Sequence, residues 1–284
     1  MKKILLSLGH GYSAQALARL LPRDEWDIIA TTRDADKAAR LRDEGVEAIL
    51  WPGTDLTPYC ERATHVLASI APGPEGDPVL REVAAPLRAA PNLNWVGYLS
   101  TTGVYGDHQG DWVDEDTPLT PSTRRGMARK QAELAWGSFD LPLHIFRLAG
   151  IYGPGRGPFS KVRKGTARRI IKENQLFSRI HVDDIAQVLL ASINHPRPGA
   201  VYNVCDNDPA PPQDVIAHAA ELLNMPIPPA IPIEEAEMSQ MARSFYAESK
   251  KVRNDLIKDE LGVELLYPTY RQGLAALLAA EEKQ

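Results

Sequence analysis

Near the start of the chain, Gly9-x-Gly11-x-x-Ala14 has the residue types and spacing to hold the pyrophosphate of a dinucleotide. Gly9 permits a tight turn, Gly11 has no Cβ to keep phosphate oxygens from the backbone, and Ala14 is small enough for a helix to lie close on a strand. Tyr12 and Ser13 open that helix, whose unpaired N–H groups and positive dipole end would face the phosphates. An ordinary glycine turn is the alternative. A second set is Thr32-Arg33-Asp34. An acidic residue here holds the ribose 2′-hydroxyl of NAD, whereas an arginine meets a 2′-phosphate. Thr32 and Arg33 tilt the expectation toward NADP. Asp34, close behind, keeps NAD open, and Arg33 also reads as a solvated charge at a helix start. A third set is Ile70-Ala71, running into Pro72-Gly73-Pro74, where backbone can pass close to the nicotinamide or form a plain loop.

These residues need strands and helices to position them. The apolar run Ile4–Leu8 reads as a buried strand, and Ala14, Leu17, Ala18 and Leu21 then recur at helical spacing. Further strands are expected at Trp26–Thr31, Ala48–Leu50, His65–Ile70, Trp95–Leu99 and His144–Leu148. Helices are expected at Ala35–Glu44, Pro78–Ala90, Arg124–Trp136 and Ile185–Ile193, the last capped by Asp183 or Asp184. Alternating strands and helices predict a parallel, doubly wound α/β sheet. Pro209–Pro212 and Pro226–Pro232 read as connectors around a short C-terminal helical region.

Bulk properties narrow the class. The chain has 284 residues, 44% of them hydrophobic, ample for a sizeable core. A formal charge of -5 argues against general affinity for nucleic acid or anionic membranes. The two cysteines, Cys60 and Cys205, form no CxxC, which points to free thiols in a reducing cytoplasm. Met1-Lys2-Lys3 mimics the start of a signal peptide, but the apolar run after it is too short and ends in the glycine turn. No stretch is long enough to span a membrane. His181-Val182-Asp183-Asp184 lacks the spacing of metal ligands on one helix face, so no metal is expected. The basic stretch Lys161-Val162-Arg163-Lys164…Arg168-Arg169 reads either as a solvated face or as the wall of a site for a phosphate- or nucleotide-bearing small molecule.

Taken in order, several segments resemble the extended short-chain dehydrogenases/reductases, the NAD(P)-dependent epimerase/dehydratase group. They are the glycine motif, Ser100-Thr101-Thr102-Gly103-Val104-Tyr105-Gly106, Arg147-Leu148-Ala149-Gly150-Ile151-Tyr152-Gly153-Pro154, Arg179-Ile180-His181-Val182-Asp183-Asp184, Tyr202-Asn203-Val204, and Leu261-Gly262 with Tyr267–Leu274. The resemblance implies a Rossmann-type NAD(P)-binding domain over 1–154 and a smaller C-terminal substrate-side lobe over 155–284, with about 179–206 returning to the core. It implies a helix-mediated homodimer as one option. It also places Thr101 where the family keeps the Ser or Thr hydroxyl that bonds the reacting substrate oxygen; a strand-end hydroxyl bonding local backbone is the other reading. Tyr105 and Tyr152 fall at positions expected to pack, and His108 in a loop.

A departure accompanies the match. The family's base is the Tyr of a Tyr-x-x-x-Lys pair on the helix after the Thr101 strand. Alignment on Gly126 and Ala132-Glu133 puts Arg125 in the Tyr place and Arg129 in the Lys place, one turn apart on one helix face. An arginine stays charged near neutral pH and cannot relay a proton there. Arg129 could donate to ribose oxygens, and Arg125 could bind an anionic group. Two expectations therefore stand together: an NADP(H)-dependent oxidoreductase or epimerase/dehydratase-like enzyme, and a catalytically silent NAD(P)-sensing protein.

Overall fold

The apolar runs of the first hundred residues form parallel strands: β1 (Lys3–Leu8), β2 (Trp26–Thr32), β3 (Glu47–Leu50), β4 (His65–Ala68) and β5 (Trp95–Thr101). The computed structural model describes residues 2–282. Strands Leu143–Leu148 and Val201–Val204 complete a seven-stranded parallel sheet, ordered Val201–Val204, Leu143–Leu148, β5, β4, β1, β2, β3. The chain leaves β1 in one direction for β2 and β3 and returns on its other side at β4. That reversal opens a crevice at the carboxyl ends of β1 and β4, where ligands bind in open α/β sheets.

Both faces of the sheet are covered, so the central strands read as continuous apolar runs. Leu5 and Ile28 point to the face covered by α1 (Tyr12–Leu20), α2 (Ala35–Asp43) and the helix Val182–Asn194. Leu6 and Ile29 point to the opposite face, beneath α3 (Thr57–Arg62), α4 (Pro78–Ala89) and α5 (Arg124–Gly137). Helix starts are fixed by side-chain caps. Asp34 accepts from the Lys37 N–H to cap α2, and Thr123 accepts from Gly126 to cap α5. Asp77 caps α4 through one carboxylate oxygen; the other takes the indole N–H of Trp136 at 3.1 Å and ties α4 to α5.

From Gly150 onward the chain builds small parallel pairs, Gly150–Tyr152 with Arg179–His181 and Arg169–Ile171 with Ala230–Pro232. Helices Pro212–Leu222 and Tyr270–Glu281 pack on them around Phe159, Val215, Tyr270 and Leu274. The Pro226–Pro232 stretch thus holds a short strand, because Ala230 to Pro232 meet the open edge of Arg169–Ile171.

The helix expected at Ile185–Ile193 begins earlier, at Val182. Its cap is His181, whose Nδ1 accepts the Asp183 N–H at 3.2 Å. Asp184 is fully buried and its two oxygens accept the N–H groups of Leu266 and Tyr267 at 2.6 and 3.1 Å. That carboxylate pins the C-terminal segment instead of capping its own helix. Burial pushes its pKa up to about 6.

Candidate functional site

The glycine turn sits at the head of the crevice. Gly9 has φ +83°, a left-handed conformation, and a Cβ there would lie 2.4 Å from Ile70 Cγ1. Its N–H donates to Thr31 Oγ1 at 2.8 Å, and its carbonyl accepts the Ser69 hydroxyl. The turn is therefore locked to the ends of β2 and β4. Gly11 differs. Its φ of -90° suits any residue, and a Cβ there would meet only the Gly9 carbonyl, 3.8 Å away. Nothing in the protein asks for glycine at this position, and the space where its side chain would stand is open. Gly11 N-caps α1, which has no side-chain cap and no acidic residue in its first turn. A bare helix start with an empty cradle beside it fits a pyrophosphate. Ala14 and Ser13 are buried against the core, whereas Tyr12 turns away and donates to the Pro154 carbonyl at 2.9 Å.

His10 lies inside the turn, buried, with Nδ1 on the Ser7 hydroxyl at 2.9 Å. Burial, helped by the charges of Lys37 and Arg23, pushes its pKa down to about 4, so the imidazole is neutral near pH 7.

Beyond the end of β2 an open concavity of about 580 Å³ is lined by Thr32, Arg33, Asp34 and the first turn of α2. Asp34 faces it, but its Oδ1 is engaged by the Lys37 N–H at 2.9 Å. Arg33 is exposed and, among the described residues, makes no hydrogen bond or ion pair. On the other side of the crevice Ile70 packs against Gly9 while Ala71 is exposed.

Thr101 ends β5. Its Oγ1 accepts the Gly103 N–H at 3.2 Å, so the hydroxyl bonds local backbone while keeping its own proton to donate. Gly126 of α5 packs against this turn so closely that a Cβ would come 2.6 Å from the Gly103 carbonyl. Arg125 is exposed and makes no hydrogen bond or ion pair among the described residues. Arg129 turns inward instead: its Nη1 donates to Tyr98 OH at 3.0 Å and to the Leu99 carbonyl at 2.8 Å. The two arginines share a helix face but have different surroundings.

Beneath Thr101 runs a buried polar network that the sequence reading had not found. Glu133 and Arg147 are 5% and 7% exposed and paired at 2.9 Å. The Ser100 hydroxyl donates to Glu133, and Arg147 Nη1 donates to Tyr105 OH at 2.9 Å. Tyr105 OH in turn donates to Asn203 Oδ1 at 2.7 Å. The network joins α5 to three neighbouring strands. The alternation of the strands held its one sequence signal: Ser100, Arg147 and Asn203 fall on paired positions.

The basic stretch separates into distinct roles. Arg163 pairs with Glu281, and Arg169 donates to backbone carbonyls of Gln213 and Pro228. Lys161 and Arg168 line a cavity of about 320 Å³ with Ile170, Met238 and Tyr246. Among the described residues no three His, Cys, Asp or Glu side chains are grouped to hold a metal, and no helix is long and apolar enough to cross a membrane.

Sheet order, locked glycine turn and open cradle match the arrangement of dinucleotide-binding α/β proteins. The family model described as "NAD dependent epimerase/dehydratase family" matches residues 81–205. A solved structure of a functionally unknown conserved protein from Silicibacter pomeroyi is 57% identical, with a TM-score of 0.93, covering 99% of this chain and 100% of that one. Protein YeeZ of Escherichia coli is 28% identical over 94% of this chain and 97% of its own length. A 3-diazoavenalumate denitrifying reductase from Streptomyces is 27% identical over 90% of this chain and 75% of its own. Over residues 81–205 the chain is thus similar to the NAD-dependent epimerase/dehydratase family.

Proposed function

We propose that this protein is an NADP(H)-dependent oxidoreductase or epimerase/dehydratase-like enzyme acting on a small carbonyl or sugar-nucleotide-like substrate. The observation that carries the reading is the pairing of an open cradle at Gly11 with an Arg33 beyond β2 that is unpaired among the described residues. Gly11, with the bare N-terminus of α1 at Tyr12 and Ser13, would hold the pyrophosphate. Arg33 would meet the 2′-phosphate, and one oxygen of the nearby Asp34 carboxylate is already held by the α2 cap. Ile70 and Ala71 would border the nicotinamide side. The matching family is described as NAD dependent, and Arg33 is the residue that favours NADP here. When bound, the nicotinamide supplies or accepts the hydride.

Thr101 would donate its free proton to the reacting substrate oxygen while the Gly103 N–H holds its oxygen in place. Arg129, fixed by Tyr98 and Leu99, contributes positive charge without moving a proton. Arg125 would bind an anionic group of the substrate. The net proton comes from water or from the substrate. Lys161 and Arg168, set among apolar side chains, favour a ligand with both an anionic and an apolar part, such as a phosphate- or nucleotide-bearing one.

The fixed Arg129 also favours a second reading, a cofactor-sensing protein without turnover. The test is an NADPH-oxidation screen over carbonyl and sugar-nucleotide substrates. The enzyme reading expects turnover with some member of the panel, falling about a hundredfold or more in Thr101→Ala with NADPH binding retained. NADPH binding without turnover anywhere on the panel would favour the sensor.

A further inference from the structure

Lys37 belongs to no part of the fingerprint, yet it touches both phosphate-binding elements. It stands in the first turn of α2, its N–H held by Asp34, and its side chain lines the concavity that Thr32 and Arg33 border. Its ammonium reaches back to the carbonyl of His10, the residue between Gly9 and Gly11. The side chain of Gln15 donates to the same carbonyl at 3.1 Å. An ammonium has three donors, and the His10 carbonyl takes one. No carboxylate is ion-paired with it among the described residues, so its charge is not cancelled at contact. Asp36 also lines the concavity and brings a negative charge, which makes a second cation there the more consequential.

We infer that Lys37 is a specificity-determining residue that ties 2′-phosphate recognition to the geometry of the glycine turn. Resting on the NADP(H) reading above, the inference adds a mechanism to it. The His10 carbonyl holds the ammonium at the border between the concavity and the turn. A 2′-phosphate arriving beside Arg33 would meet a second donor already in place, so little side-chain freedom is lost on binding. Because the same ammonium steadies the turn, selection at the adenosine ribose is mechanically linked to the cradle for the adjoining pyrophosphate. Arg33 has no such anchor.

The experiment is calorimetric titration of the full chain with 2′,5′-ADP and 5′-AMP, for wild type, Lys37→Met, Lys37→Arg and Arg33→Ala, with thermal unfolding as a check on folding. The two probes differ in the 2′-phosphate and carry no nicotinamide. Wild type is expected to prefer 2′,5′-ADP. Lys37→Met is expected to cut that preference by roughly tenfold, the loss of one charge-assisted bond at a part-open site. Lys37→Arg should keep part of the preference, since charge remains while the point geometry changes. The dependence of 2′,5′-ADP affinity on salt should be shallower in Lys37→Met. If Lys37→Met weakens both probes equally, Lys37 is merely structural and the inference falls while the NADP(H) reading stands. If wild type binds both probes alike, the NADP(H) reading and the inference fall together.

Discussion

At the residue scale, two glycines of one motif carry different burdens. Gly9 is required by the protein itself: its φ is +83° and Ile70 occupies the place of a Cβ. Gly11 is under no such demand, because its Cβ would have ordinary room. Gly9→Ala is therefore expected to destabilise the fold by about 1–3 kcal/mol, seen in urea unfolding. Gly11→Val is expected to leave the unfolding midpoint nearly unchanged while weakening dinucleotide binding at least tenfold by calorimetry. The motif was legible in the sequence because its signal is local: a turn and two helix positions. Lys37 was not, because its contact with His10 spans 27 residues and leaves no periodic trace. Arg129 was read as a donor to ribose oxygens, and its Nη1 bonds to Tyr98 and Leu99, on a strand 30 residues away, were not foreseen. Only the packing of α5 on β5 brings them together.

At the scale of elements, α5 is held by more than apolar contact. Gly126 lets its first turn touch the Gly103 carbonyl, and Glu133 fastens its middle to Arg147. Removing one partner of such a pair leaves a buried charge uncompensated. Arg147→Met is therefore expected to cost about 3–5 kcal/mol in chemical denaturation. The double change Arg147→Met with Glu133→Leu should recover a good part of that loss. If the single variant is as stable as wild type, the pair does not anchor α5. The helix itself was readable from the sequence, because Thr123 caps it and Ala132 and Trp136 lie buried on one face. Its buried charge was invisible there, since a lone glutamate in a helix reads as exposed. The cap of the helix Val182–Asn194 was misplaced for the same kind of reason. Asp184 looks like a cap in sequence but bonds to Leu266 and Tyr267, about eighty residues on.

For the whole molecule, the alternation of strands and helices made the sheet legible, because each strand is buried on both faces and each helix on one. The later chain was harder to read, since its two-residue and three-residue strands carry no period. Asp206, where the chain leaves strand Val201–Val204, is buried, and that burial pushes its pKa from 3.8 to about 8. The folded chain thus holds a proton that the unfolded chain releases above about pH 4. This contribution is complete below the unfolded value and is lost as pH rises toward 8. Burial pushes His10 and His65 down to about 4, so their effect has the opposite sign and is complete by about pH 7. Between pH 7 and 8 stability is therefore expected to decline with pH, and Asp206→Asn should flatten that slope in urea titrations. An unchanged slope would show that Asp206 is ionised in the folded chain. What the crevice at the carboxyl ends of β1 and β4 binds decides the cofactor reading. The most direct measurement is calorimetric titration of the wild-type chain with NADPH, NADP, NADH and NAD. Binding on the glycine turn is expected, with NADP(H) at least tenfold tighter than NAD(H), a margin lost in Arg33→Ala with NAD(H) affinity unchanged. No binding of any of the four would contradict it, leaving the glycine turn a scaffold alone.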